Sequence, residues 1–208
     1  MKKPDKIQQK RLRKKKQSEF NLREEFASWW QGKNPVLKFS LGFAVLMGVF
    51  YGFWFTDFFT NNILIPFTRF NALVAANILA LFGQHATVID ARLSSGSITI
   101  DVGRGCDALE PMAIFLCAVL LFPAPFKAKL FGVLGGIPIL FALNILRIIT
   151  LYLAGAHGGF LFGAEKEFYF NLLHLQIWPV IFIVATLMLL AGWIIYSLKS
   201  RITPRANL

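Results

Sequence analysis

The sequence predicts an all-α polytopic membrane protein, with about four transmembrane helices, an outer interfacial or partly inserted helix and a small outer β-hairpin. Three observations carry this. Of 208 residues 56% are hydrophobic and the mean hydropathy is +0.56, too apolar for a soluble domain of this size. Several apolar runs, Leu130 to Leu153 among them, reach the ~20 residues that cross a bilayer. The basic residues also sort into blocks between the runs, as the positive-inside rule requires.

The elements follow in order. Residues 1–35 form a basic leader holding most of the twelve Lys and Arg that lie within residues 1–38. Its cluster Lys10-Arg11-Leu12-Arg13-Lys14-Lys15-Lys16 reads as a cytoplasmic segment facing anionic lipid head groups. A nucleic-acid partner is not expected, because the net charge of +11 is concentrated before an apolar run. Phe20 to Gln31 can form an amphipathic helix with Leu22, Phe26, Trp29 and Trp30 toward the membrane surface. No small-x-small cleavage pattern follows, so span one, Val36 to Phe55, reads as a retained signal anchor. Span two is the short run Ala108 to Phe122, ended by Pro123-Ala-Pro125. Span three is Leu130 to Leu153, and span four is Leu175 to Leu198. Residues 36–198 thus make the membrane domain, and 199–208 a basic tail.

The segment Asn62–Gly83 is apolar but carries Arg69, Asn71 and Asn77, and charge parity decides its reading. The leader, the turn with Lys127 and Lys129, and the tail with Lys199, Arg201 and Arg205 all belong in the cytoplasm. Four spans place them on one side, and a fifth would separate the leader from the rest. The segment is therefore expected as the outer interfacial or partly inserted helix. After it, Thr87–Leu93 and Ser97–Val102 flank Ser94-Ser95-Gly96 as a hairpin, and the second arm alternates apolar and polar residues.

This arrangement brings three chemical groups to the outer face. Cys106 lies just before span two, Arg147 in the outer half of span three and His174 at the start of span four. A charge at membrane depth costs at least ~2.5 kcal/mol near the centre and is usually retained for function. A cysteine before a helix N-terminus sees the positive end of the dipole, which favours thiolate. Arg104 and Arg147 would add to this, while Asp107 and Glu110 would oppose it. Asp107-Ala-Leu-Glu110 also fits a capping box. A histidine can take the thiol proton and return it to a leaving amine. Arginine cannot serve as base but can hold an oxyanion, carbonyl or carboxylate. Such a set suffices for acyl transfer from a peptide.

Structural readings stand beside these. Cys117, mid-span, reads as a small buried residue, and Cys106 suits either role. Arg147 can pair with Glu165 or Glu167 to hold the bundle. Asn144, one turn earlier on the same face, can orient Arg147 or join helices. His85, His157 and His174 all fall on the outer side, and the residues alone do not choose among them. No HxxxH or CxxC spacing supports zinc, so neither metal nor cofactor is expected. The two cysteines lie ~16 Å apart along a helix, too far for a disulfide.

Gly105-Cys106 opening a span, the Phe122-Pro-Ala-Pro turn, Asn144-Ile-Leu-Arg147-Ile within the next span and His174 opening the last resemble the exosortase/archaeosortase family. They are most similar to its exosortase H subgroup, and the resemblance covers roughly residues 37–198. It implies a membrane cysteine transpeptidase of the plasma membrane with cytoplasmic termini and an outer active site. Cys106 would be the nucleophile, Arg147 its electrostatic partner, His174 the general base and acid, and Asn144 a supporting residue. Implied partners are exported membrane proteins ending in a PEP-CTERM-like signal of short motif, transmembrane helix and basic end. The resemblance does not identify the acceptor. The family often carries a small polar residue and then Gly after the cysteine, where this chain has Asp107-Ala108. The rival reading is a non-enzymatic assembly factor or small transporter using Arg147 as a structural or substrate-binding charge.

Overall fold

The computed structural model describes residues 34–95 and 98–202. The leader, its expected amphipathic helix at 20–31 and the end of the tail lie outside them. The chain divides into two compact units, residues 1–44 and residues 45–208. In the first, the described residues are Asn34 and the beginning of helix α1, Pro35–Trp54, where the rings of Phe39 and Phe43 stack at 6.1 Å.

The second unit begins within α1 and continues into α2, Asp57–Leu81. Thr56 caps α2, its Oγ1 accepting the Phe59 N–H at 3.2 Å, the usual task of a threonine at this position. A single π-turn, Thr60–Leu64, interrupts α2. Three short antiparallel strands follow: β1, Thr87–Ile89; β2, Arg92–Ser95; and β3, Ile98–Asp101, in the order β1-β2-β3. Then come α3, Leu109–Leu121, and α4, Phe126–Phe162. A last helical run comprises α5, Lys166–Leu172, a π-turn Leu173–Ile177, and α6, Trp178–Ile202.

α1, α2, α4 and the α5–α6 run are each long and apolar enough to cross a membrane, and the protein is a multi-pass membrane protein. Two details differ from expectation. The segment expected as an interfacial helix is part of α2, which is long enough to cross, whereas expected span two is the shorter α3. α2 meets the segment between α2 and α3 at Thr60 and where it packs on the sheet. Thr60 Oγ1 accepts from Arg104 Nη2 at 2.6 Å, and α2 packs on β1 and β2, which directly follow it. The expected hairpin is a three-stranded sheet, since Asp90 takes a left-handed conformation (φ 55°) and folds the first arm back on itself. Aspartate tolerates that conformation better than most side chains.

The core lies where α2, α3, α4 and α6 meet the sheet. Leu79, Leu93, Val102, Phe115, Leu140 and Tyr152 are almost fully enclosed there. Gly136 on α4 sets the approach of α3, because a Cβ at that position would overlap the Phe115 ring. Trp193 Nε1 donates to the Ala128 carbonyl at 2.7 Å, and Lys129 Nζ to the Leu120 carbonyl. These contacts tie the Lys127–Lys129 ends of α3, α4 and α6 together.

Candidate active site

The site sits where the polypeptide enters α3, against the middle of α4 and the π-turn before α6. The entry is a tight turn: Gly105 has φ +87° and Ala108 φ +59°, while Cys106 N–H donates to the Gly103 carbonyl at 3.0 Å. Glycine takes such a φ freely, whereas alanine pays for it. The capping box is half formed. Asp107 Oδ1 accepts the Leu109 N–H at 2.8 Å and Oδ2 the Gly105 N–H at 3.3 Å. Glu110 instead accepts a hydrogen bond from Tyr51 OH at 3.4 Å.

This turn buries Cys106, 6% exposed, with Sγ 3.2 Å from His174 Nε2. With its proton on Nδ1, His174 accepts the thiol proton at Nε2. The Phe170 ring lies 6.0 Å from the imidazole, one turn earlier in the same helical run. His157 is exposed near the end of α4, and His85 lies in the segment before β1.

Arg147 is 6% exposed. Nη1 donates to the Gly105 carbonyl at 2.6 Å and Nη2 to the His174 carbonyl at 3.3 Å. The guanidinium also lies over the Phe182 ring, 5.9 Å from its centroid. Among the described residues no carboxylate forms a salt bridge with it, and Glu165 and Glu167 are exposed. Arg147 thus ties the residue before Cys106 to the backbone of His174. Its own carbonyl accepts from Thr150 Oγ1 at 2.9 Å, and that oxygen accepts from Trp178 Nε1 at 3.1 Å. These bonds hold the start of α6 to α4. Asn144 is fully buried, but neither polar atom of its side chain bonds to Arg147 or to any other described residue.

The electrostatics do not pre-ionise the thiol. Burial pushes the Cys106 pKa above the usual thiol range; Arg147 draws it down, and Asp107 and Asp101 raise it. Desolvation outweighs the pull of Arg147. Arg104 is not beside the thiol, because its guanidinium bonds to Thr60. Asp107 is itself raised by burial, which outweighs the N–H groups of Leu109 and Gly105.

Next to the turn that enters α3 lies a cavity of about 380 Å³, lined by the neighbours of Cys106 and not by Cys106 or His174 themselves. One end is formed by Gly105, Asp107, Ala108 and Arg147; the lining continues along Ile114 on α3 and Ile183 and Leu187 on α6. A peptide placed there meets polar groups at one end and an apolar groove along the rest.

The structure therefore brings Cys106, Arg147 and His174 together, with Asn144 one turn below Arg147 and not bonded to it. Phe182 was legible in the sequence as an aromatic two turns after His174. The Gly105 and His174 carbonyls carry no side-chain signal and emerge only from the packing. A family model described as transmembrane exosortase matches residues 29–192, and no curated protein and no solved structure matches the chain significantly.

Proposed function

The chain belongs to the transmembrane exosortase family, and from that premise we propose that it is a membrane cysteine transpeptidase or endopeptidase. It cleaves a C-terminal sorting signal of exported proteins, comprising a short motif, an apolar helix and a basic end. The observation that carries this reading is the Cys106 Sγ–His174 Nε2 distance of 3.2 Å beside a guanidinium that holds the carbonyls of Gly105, the residue before Cys106, and of His174.

The thiol and imidazole begin neutral. As Sγ attacks the scissile carbonyl carbon, His174 Nε2 takes the thiol proton and the C=O π pair moves to oxygen. The oxyanion then collapses, the C–N bond breaks, and the proton held by His174 passes to the departing amine. The thioester on Cys106 is resolved by an amine acceptor or by water. Arg147 offers further N–H groups to the anionic oxygen. The apolar stretch after the scissile bond lies in the groove toward Ile183 and Leu187.

We place the site at the outer face of the plasma membrane, with both termini cytoplasmic. Arg147 lies roughly 32 Å along α4 from Phe126, close to the ~30 Å hydrocarbon thickness. Lys127 and Lys129 mark the cytoplasmic boundary, so Arg147 reaches the outer one. On this reading α2 rests at the outer side.

Co-expression of Cys106→Ala with a tagged substrate of this kind tests the reading. The variant accumulates in the membrane and leaves the substrate unprocessed. Undiminished processing would sink the proposal.

A further inference from the structure

The turn Gly105–Leu109 is more strained than a helix entry requires. Ala108 is left-handed, at a cost of roughly 1–2 kcal/mol for a non-glycine residue, and it directly follows Asp107, whose φ is not positive. Successive residues of this kind turn their N–H groups to one side and form a concavity for an anion. The Gly105 and Leu109 N–H groups are taken by the Asp107 carboxylate, and that of Cys106 by Gly103. Among the described residues the Asp107 and Ala108 N–H groups have no backbone acceptor. Both residues line the cavity next to this turn. Arg147 lines it too.

We infer that the Asp107 and Ala108 backbone N–H groups form the oxyanion hole of this enzyme. The inference rests on Cys106 being the nucleophile. When Sγ bonds to the scissile carbon, the carbonyl π pair moves to oxygen, and that oxygen accepts from these N–H groups. It gives the pair back when the C–N bond breaks and the amine leaves with the proton from His174. The adverse neighbour is the Asp107 carboxylate, whose oxygens are turned to the Gly105 and Leu109 N–H groups. The strain at Ala108 has a purpose here: a right-handed residue 108 would break the concavity.

The test separates acyl transfer from thiol reactivity. Lactic acid incorporated in place of Ala108 converts the 107–108 amide to an ester, deleting one N–H and weakening the Asp107 carbonyl as an acceptor, with every side chain kept. Two readouts are taken on the full-length protein: cleavage of a tagged exported protein ending in the short motif, apolar helix and basic tail, and alkylation of Cys106 by iodoacetamide. Alkylation is displacement at a saturated carbon and develops no oxyanion. Cleavage falls on the order of 10²–10³-fold, as for loss of one such donor, while alkylation stays within about twofold of the parent. Should the ester variant fail to accumulate, Ala108→Val, which disfavours the left-handed conformation, gives the same split between readouts. Parent-level cleavage in the ester or Val variant, or an equal fall in both readouts, overturns the inference. Processing that survives Cys106→Ala instead overturns the proposed function.

Discussion

A guanidinium with two nitrogens committed to backbone carbonyls acts first as a tie. Arg147 joins the turn before α3 to the π-turn before α6, so loss of its charge also loosens the geometry of Cys106 and His174. The thiol itself is held neutral by burial. Its alkylation therefore rises with pH, with a midpoint above that of an ordinary cysteine. Asp107→Asn removes a charge that raises the thiol pKa and moves the midpoint down; Arg147→Gln removes one that lowers it and moves the midpoint up. Iodoacetamide rates across pH in detergent read both shifts, and shifts of opposite sign would contradict the electrostatics. Asn144 makes a different point. It is fully buried with both polar atoms unpaired, and such groups cost roughly 1–3 kcal/mol each. Asn144→Leu, which keeps the branch at Cγ and removes the polar atoms, keeps or raises the melting temperature. A drop of several degrees would mean that the amide has a partner.

Among the elements, the closeness of α3 to α4 is set by a missing side chain. Gly136 leaves room for the Phe115 ring, and any Cβ there forces the ring to move. Gly136→Ala destabilises by about 1–3 kcal/mol, the usual range for overpacking. Phe115→Leu in the same chain recovers part of that loss, a coupling read by thermal unfolding of the single and double variants. Strictly additive losses would show that the two residues do not share the space. The short sheet has a positioning role. Val102, at its exit, is fully buried and leads to Gly103, whose carbonyl accepts the Cys106 N–H, so the strands fix where the thiol enters the core.

At the scale of the molecule, helix length and helix contacts bear separately on which helices cross. By length α2 qualifies, yet Thr60 near its start bonds to Arg104 in the segment leading to Cys106, and α2 also packs on β1 and β2. If α2 stays outside, single cysteines placed at Asn62 and at Gly83, in a chain lacking Cys106 and Cys117, both react with a membrane-impermeant thiol reagent on intact spheroplasts. Labelling of one only after permeabilisation would make α2 a span and reverse the placement of the sheet. The sequence by itself determined the class of the fold, through the apolar runs, and the family resemblance, through Cys106, Asn144-x-x-Arg147 and His174. Those signals are side-chain identities at fixed spacing, and they are written in the chain. It misread the sheet as one hairpin because a turn at Asp90-Ala91 looks like the continuation of a strand. It gave span two full standing because hydropathy does not say how far a short helix reaches. Which histidine meets the thiol was left open by the residues and decided by helix packing, since depth alone leaves three candidates equal. Only the tertiary structure disclosed that burial outweighs the charges at Cys106 and that Arg147 grips two carbonyls. Desolvation and backbone partners are properties of what surrounds a residue, and those surroundings exist only once the helices are packed.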